Sequence, residues 1–175
     1  MSEATAPTGS RLVGEVTVRP ARPEEFAAVG ALTASAYVAD GLITADDDYV
    51  RELSDAAHRA EHAELLVATD DSGLLGSVTI VHPGTHYAEI SREGELEFRM
   101  LATAPAARGR GVGEALTRAV LDRARAVGAR AVVMSSLDAM KAAHRLYSRL
   151  GFSRLPERDW EPLPGLWLRA FRLSL

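Results

Sequence analysis

Apolar residues recur along the chain with two different periods, which predict a succession of strands and helices. Short apolar or alternating runs predict strands at 15–20, 64–70, 74–81, 95–103 and 130–136, and two closing strands near the C-terminus. Apolar residues at helical spacing predict helices at 22–41, 46–63, 112–127 and 139–150. This order predicts a mixed α/β (α+β) fold in one domain, with a central mixed sheet of about seven strands and helices on both faces.

The predicted strand at 95–103 alternates between polar and apolar side chains. Successive side chains of a strand point to opposite faces, so one face is expected to carry Glu95, Glu97 and Arg99. The other face would then carry Leu96, Phe98 and Met100. Further along, Asp138 is expected to cap the helix at 139–150.

Composition narrows the class of protein. The chain has 175 residues, a net charge of −4 and no cysteine, which excludes disulfides, thiolate metal sites and a cysteine nucleophile. The acidic balance argues against nucleic-acid binding, and no apolar run approaches the roughly 20 residues of a membrane span. Residues 1–14 lack the apolar core of a signal peptide, so we expect a flexible arm before a folded domain at 15–175, and a cytoplasmic protein.

The segment "RGRGVG" (108–113) follows a strand and opens a helix. Gly109, Gly111 and Gly113 leave the backbone N–H groups accessible, and the helix dipole favours an anion such as pyrophosphate there. Arg108 and Arg110 add positive charge. The alternative is a tight turn without a ligand. A P-loop would need Gly-Lys-Ser/Thr where this chain has Gly113 followed by Glu114, and the spacing GxGxG departs from the dinucleotide fingerprint GxGxxG.

Three segments together resemble the GNAT superfamily of N-acetyltransferases. "RGRGVG" matches the signature R/Q-x-x-G-x-G/A at Arg108, Gly111 and Gly113. "MLATAPAA" (100–107) is similar to the end of the family's fourth strand, and "AAHRLYSRLGF" (142–152) is similar to its late helix leading to Gly-Phe. The resemblance covers about residues 15–175 and implies a GNAT-like N-acetyltransferase domain.

The resemblance implies acetyl-coenzyme A (acetyl-CoA) as acetyl donor and no metal. Direct attack by a primary amine on the donor, within a ternary complex, is the expected reaction. Two groups of donor-binding residues are implied. The pyrophosphate would lie on the turn formed by Arg108, Gly109, Arg110, Gly111, Val112, Gly113 and Glu114, and the pantetheine arm would bind the strand end at Leu101, Ala102 and Thr103.

Acetyl transfer to an amine requires a base and an acid, because an alkylamine is mostly protonated at neutral pH. By resemblance, Tyr147 is the expected acid that protonates the leaving thiolate. Glu97 is the expected base, with Glu95 on the same face as its rival. The alternatives are a core tyrosine at Tyr147 and a surface pair between Glu97 and Arg99.

The sequence departs from the family at Met140, where many relatives carry an asparagine, and the acceptor stays open. A small amine, an aminoglycoside, an amino acid or a protein lysine all remain candidates for the acceptor. The oligomeric state also stays open, with a homodimer as one candidate. His82, His86 and Tyr87 in the loop at 82–94, with Trp160 and Trp167, are candidates to border the acceptor site. Two other functions are kept: a coenzyme-A-binding sensor without turnover, and a zinc peptidase suggested by H-x-x-E-H in "HRAEH" (58–62).

Overall fold

The computed structural model describes residues 15–175, so the predicted arm at 1–14 lies outside the described residues. The strands are β1 (Thr17–Pro20), β2 (Glu64–Asp70), β3 (Gly73–Val81), β4 (Glu95–Thr103), β5 (Ala131–Leu137), β6 (Ser153–Arg154), β7 (Trp160–Leu163) and β8 (Leu166–Ser174). The helices are α1 (Phe26–Ala39), α2 (Tyr49–Ser54), α3 (Ala56–His62), α4 (Val112–Ala126) and α5 (Lys141–Leu150). Short 3-10 turns begin at Pro23, Pro105 and Pro156.

One mixed sheet organises the described residues. Its strand order is β1-β2-β3-β4-β5-β8-β6, and β7 pairs with β8 alone. Only β4 and β5 are parallel, and α4 connects them. The mixed fold predicted from the sequence is confirmed, with eight strands where about seven were expected. The additional strand, β7, is four residues long and contains Pro162, so it carries no clear alternation.

Helices cover both faces of the sheet, as predicted. The larger core joins α4 to β3, β4 and β5 through residues such as Leu116, Val120, Ile80 and Phe98. On the opposite face, two smaller cores pack α1, α2 and α3 against the sheet, with Val29 and Leu53 almost fully buried. The coil between α1 and α2 also packs on this second face.

The alternation predicted for β4 breaks at Met100. Leu96 and Phe98 face the α4 side as expected, but Met100 packs with Ala102 in the core on the α1 side. Met100 has a φ of 55°, and the pairing of β3 with β4 shifts register at this level. The expectation that Met100 shares a face with Leu96 is therefore wrong, because a bulge in the strand exchanges the two faces beyond Arg99.

The parallel strands β4 and β5 separate after a short ladder. Their pairing covers only Glu95–Glu97 against Ala131–Val133, although β4 continues to Thr103 and β5 to Leu137. On its other edge, β4 remains paired with β3 as far as Thr103. The C-terminal part of β4 therefore presents to β5 an edge that β5 does not pair, and the cleft between the two strands widens toward the turn before α4.

Two helix predictions differ in detail from the structure. The helix expected at 46–63 is divided into α2 and α3 at Asp55, whose side chain accepts a hydrogen bond from the His58 amide and begins a new helix. Asp138 does not cap α5, which begins at Lys141 with Met140 as its N-cap. The Asp138 carboxylate instead pairs with Arg169 at 2.8 Å. A long-range ion pair thus replaces the local capping contact.

Candidate functional site

A cavity of about 780 Å³ occupies the cleft between β4 and β5. It extends from the turn before α4 to the coil between α1 and α2, and the hairpin of β7 and β8 forms its outer wall. Ten of the twelve residues predicted from the sequence line this cavity: Leu101, Ala102, Thr103, Arg108, Gly109, Gly111, Val112, Gly113, Glu114 and Tyr147. Glu97 and Arg110 do not line it.

The glycine turn combines an unusual backbone with open space. Gly109 and Gly111 have φ of 77° and 76°, the left-handed region that favours glycine. A Cβ built on either would meet no atom within 4 Å, so these positions border free volume. Gly111 is the N-cap of α4 and makes no side-chain capping bond, which leaves the first amides of the helix facing the cavity without a cap. Part of the glycine content is therefore required by the turn itself.

The two arginines of the turn differ in position. Arg108 lines the cavity, and its Nη2 lies 3.0 Å from Asp40 Oδ2. Arg110 points away from the lining, with Nη2 2.6 Å from Asp70 Oδ2. Hydrogen bonds from Ser72 and Arg110 hold the pKa of Asp70 at about 2, well below its usual range. Of the two predicted cations, Arg108 is the one that lines the cavity.

Tyr147 lies on α5 where the cavity meets the main core. Its ring is 3% exposed and packs at 5.8 to 5.9 Å from the rings of Phe98, Phe152 and Phe171. Burial raises the pKa of the phenol, so the hydroxyl stays protonated at neutral pH. Tyr147 is therefore a core residue whose side chain also lines the cavity, and its role as the acid stays a prediction.

Glu97 lies beneath the loop between β3 and β4, outside the cavity lining. Its side chain is completely buried, and its carboxylate accepts backbone N–H bonds from Glu89, Ile90 and Ser91 at 3.0 to 3.3 Å. This is the geometry of a carboxylate that holds a loop in place. The rival residue, Glu95, is also outside the lining and pairs with Arg158 at 2.6 Å. Glu97 stays a predicted base, but neither carboxylate faces the cleft.

The loop held by Glu97 carries another carboxylate, and that one does line the cavity. The Glu89 side chain is 19% exposed, and its Oε1 lies 2.8 Å from Arg99 Nε. Burial raises the pKa of Glu89 to about 7; Arg99 acts in the opposite direction, and the nearby carboxylates of Glu97 and Glu52 raise the value further. No motif marked Glu89 in the sequence, because its environment is assembled from three separate elements.

Arg99 links several chain segments at the end of the cavity that lies away from the glycine turn. Besides Glu89, its guanidinium donates to the Tyr87 carbonyl at 3.2 Å and the Tyr49 hydroxyl at 3.4 Å, and it lies 3.6 Å from Glu52. The surface pair between Glu97 and Arg99, which was the alternative to a catalytic Glu97, is therefore replaced by a pair between Glu89 and Arg99. The physical reason is that the buried Glu97 carboxylate is already taken by loop amides.

Polar groups also lie beside Met140, the position at which the resemblance to the family would imply an asparagine. Met140 lines the cavity, and the Ser136 hydroxyl at the end of β5 donates to its sulfur at 3.2 Å. The same hydroxyl lies 3.1 Å from His144 Nε2. A hydroxyl is thus present in the cleft beside Met140.

The tryptophans and histidines singled out in the sequence lie in different parts of the structure. Trp160 lines the cavity and Trp167 does not. His58, His62 and His86 form a cluster of rings 4.5 to 5.2 Å apart, away from the lining. Within residues 15–175, no group of three or more His, Cys, Asp or Glu side chains is arranged to hold a metal ion, so the zinc-peptidase alternative gains no support.

Comparison with known proteins identifies the class of this chain. Residues 10–152 match the Acetyltransferase (GNAT) family, and the chain belongs to that family. It is 28% identical over 113 residues to an uncharacterized N-acetyltransferase of Schizosaccharomyces pombe, covering 65% of this chain and 66% of the relative. It is 37% identical over 78 residues to N-acetylaspartate synthetase of Danio rerio, covering 43% of this chain. The match spans 28% of that relative's length.

Solved structures share the fold. A putative acetyltransferase of Salmonella typhimurium, solved with acetyl-CoA, superposes with a TM-score of 0.65 at 22% identity, over 92% of this chain and 94% of the other. Acetyl-CoA complexes therefore exist among the structural neighbours of this fold. No helix within residues 15–175 is both long and apolar enough to cross a membrane.

Proposed function

We propose that this protein transfers an acetyl group from acetyl-CoA to a primary amine, with Tyr147 as acid and Glu89 as base. The observation that carries the proposal is a single cleft that joins the glycine turn, the unpaired edge of β4, Tyr147 and Glu89. The family supports the donor, and the cleft supports the placement of each group around it.

The donor would lie along the cleft from the turn to the middle of β4. The backbone at Gly109–Glu114 and the Arg108 guanidinium would bind the pyrophosphate, because accessible N–H groups at a helix start favour anions. The edge of β4 at Leu101–Thr103, which β5 leaves unpaired, would hydrogen-bond the amide groups of pantetheine like an added strand. The open space above Gly109 and Gly111 fits a ligand that touches the backbone.

The chemistry needs one proton removed and one proton supplied. The amine nitrogen attacks the thioester carbonyl carbon, the C–S bond breaks, and the amine proton passes to the Glu89 carboxylate directly or through water. Tyr147 gives its proton to the departing sulfur, and solvent restores both groups, with one proton released overall from an ammonium substrate. A carboxyl whose pKa lies at about 7 is suited to accept a proton near neutral pH.

The test is amine-dependent release of free thiol from acetyl-CoA, measured as a function of pH at saturating amine. We expect kcat to rise up to about pH 7 as Glu89 loses its proton. Glu89→Gln should lower kcat at neutral pH by about 100-fold or more and remove this rise. Glu93→Gln, in the same loop but exposed and outside the cavity lining, is the matched control and should behave as wild type.

Tyr147→Phe separates chemistry from donor binding. The rate should fall by about 100-fold while the calorimetric affinity for coenzyme A changes little, because the ring is retained and only the hydroxyl is lost. If coenzyme A binds tightly but no amine stimulates thiol release, the result would indicate the alternative function, a coenzyme-A-binding sensor without turnover. An unchanged pH profile in Glu89→Gln would remove Glu89 from the role of base.

A further inference from the structure

The acceptor end of the cavity differs in character from the donor end. We propose that the acceptor is a primary monoamine with an uncharged apolar body, an alkylamine or arylalkylamine, and not an amino acid. This inference rests on the proposed acetyl transfer and specifies its substrate class. Two independent observations carry it: the apolar wall around Glu89 and the commitment of every cation near it.

The apolar wall comes from two parts of the chain. The β7–β8 hairpin and Ser135 of β5 enclose one side, where Trp160 Nε1 donates to Ser135 Oγ at 3.4 Å. The α1–α2 region encloses the other side, where Tyr37 and Tyr49 pack edge to face at 6.3 Å. The apolar and aromatic residues of this end are Tyr37, Leu42, Ile43, Tyr49, Trp160, Pro162, Leu163, Leu166 and Leu168.

This wall is accessible in the protein. Leu163 is 62% exposed and Leu166 is 40% exposed, although both line the cavity. Exposed leucines beside a cleft lose unfavourable contact with water when an apolar ligand covers them. An acceptor with an aliphatic or aromatic body would bury them, whereas a compact polar amine would leave them exposed.

The charges at this end favour an ammonium and disfavour a carboxylate. The charged residues that line it are two carboxylates, Asp47 and Glu89, and one guanidinium, Arg99. Arg99 already contacts Glu89, Glu52, Tyr49 and the Tyr87 carbonyl. A carboxylate on the acceptor would have to displace one of these contacts or lie beside a like charge.

The other arginines of the lining belong to the donor end. Arg108 is in the glycine turn and pairs with Asp40. Arg149 follows Leu146 by three positions on α5, and the Leu146 side chain lies 3.4 Å from where a Cβ on Gly113 would be. In the described part of the lining, no guanidinium is therefore left to bind an acceptor carboxylate at the Glu89 end.

The experiment compares acceptors that differ in one feature. 2-Phenylethylamine and L-phenylalanine share the same aromatic body, and only the second has a carboxylate. We expect kcat/KM for 2-phenylethylamine to exceed that for L-phenylalanine by about tenfold or more. Hexylamine should exceed butylamine by about tenfold or more, because each buried methylene contributes about fourfold. Equal values, or a preference for the amino acid, would overturn the proposal.

Variants locate the selectivity in the wall. Trp160→Ala should reduce the ratio of hexylamine to methylamine turnover several-fold, and Trp167→Ala, outside the lining, is the matched control that should keep it. Equal loss in both variants would contradict the assignment. If no amine stimulates thiol release, the proposed function fails. The acceptor class is then decided separately by calorimetry, which compares the affinities of 2-phenylethylamine and L-phenylalanine for the protein saturated with coenzyme A.

Discussion

Replacing Glu97 by glutamine distinguishes a loop-holding carboxylate from a catalytic base. In the structure, Oε1 of Glu97 accepts the amides of Glu89, Ile90 and Ser91, and Oε2 shares only the first at 3.2 Å. Glutamine can keep its oxygen at the Oε1 position, so the three amides retain an acceptor. A neutral oxygen accepts more weakly than a carboxylate, and we expect a loss of about 1–2 kcal/mol of folding stability.

The expected outcome is a stable and active protein. For a chain of this size, the predicted loss corresponds to a Tm about 2–8 °C lower by thermal unfolding. Thiol release should stay within a few-fold of wild type, and its rise with pH should persist but shift to lower pH, because the Glu97 charge that helps to raise the pKa of Glu89 is lost. Glu97→Ala removes the acceptor from all three amides and should cost about 3–5 kcal/mol. A Glu97→Gln protein with unchanged Tm and a 100-fold lower rate would refute this reasoning and make Glu97 the base.

Two further predictions concern stability. Gly76→Ala should lower stability by about 1–3 kcal/mol in denaturant unfolding, because its Cβ would lie 2.6 Å from the Ala102 carbonyl oxygen and 2.8 Å from Val112; wild-type stability would contradict the packing of α4 on β3. A hydrogen bond from Arg154 holds the pKa of Asp159 at about 2, below its unfolded value near 4. The ionised Asp159 therefore stabilises the folded state by about 2 kcal/mol above pH 4, and this contribution is lost toward pH 2. Asp159→Asn should lose it at neutral pH and show a shallower acid transition; an unchanged transition would exclude Asp159 as its source.

The sequence predicts the strand, the glycine turn and the helix start at one end of the cleft well, because their determinants are local. A strand, a glycine turn and a helix start follow one another within 95–126, and each is set by residues close in the chain. The left-handed φ of Gly109 and Gly111 is a conformation that their residue type permits at little cost. The same locality explains why β4 is predicted with the bounds that it has in the structure.

The acceptor end could not be predicted in the same way. The bulge at Met100 depends on the register between β3 and β4, and it reverses the faces that strict alternation assigns. Glu89 is a cavity carboxylate because the loop that carries it is held from below by Glu97 and faces Arg99 on β4. These relations join residues on separate elements, so a pattern of types along the chain contains no signal for them.

The most direct test of the central claim is the stoichiometry of products from one reaction mixture. The protein is mixed with acetyl-CoA and 2-phenylethylamine, and free thiol and N-acetylated amine are both quantified over time, the second by mass spectrometry. Both products should accumulate at the same rate in a one-to-one ratio, and Tyr147→Phe should slow both equally. Thiol without acetylated amine, or neither product in the presence of bound coenzyme, would contradict acetyl transfer to the amine.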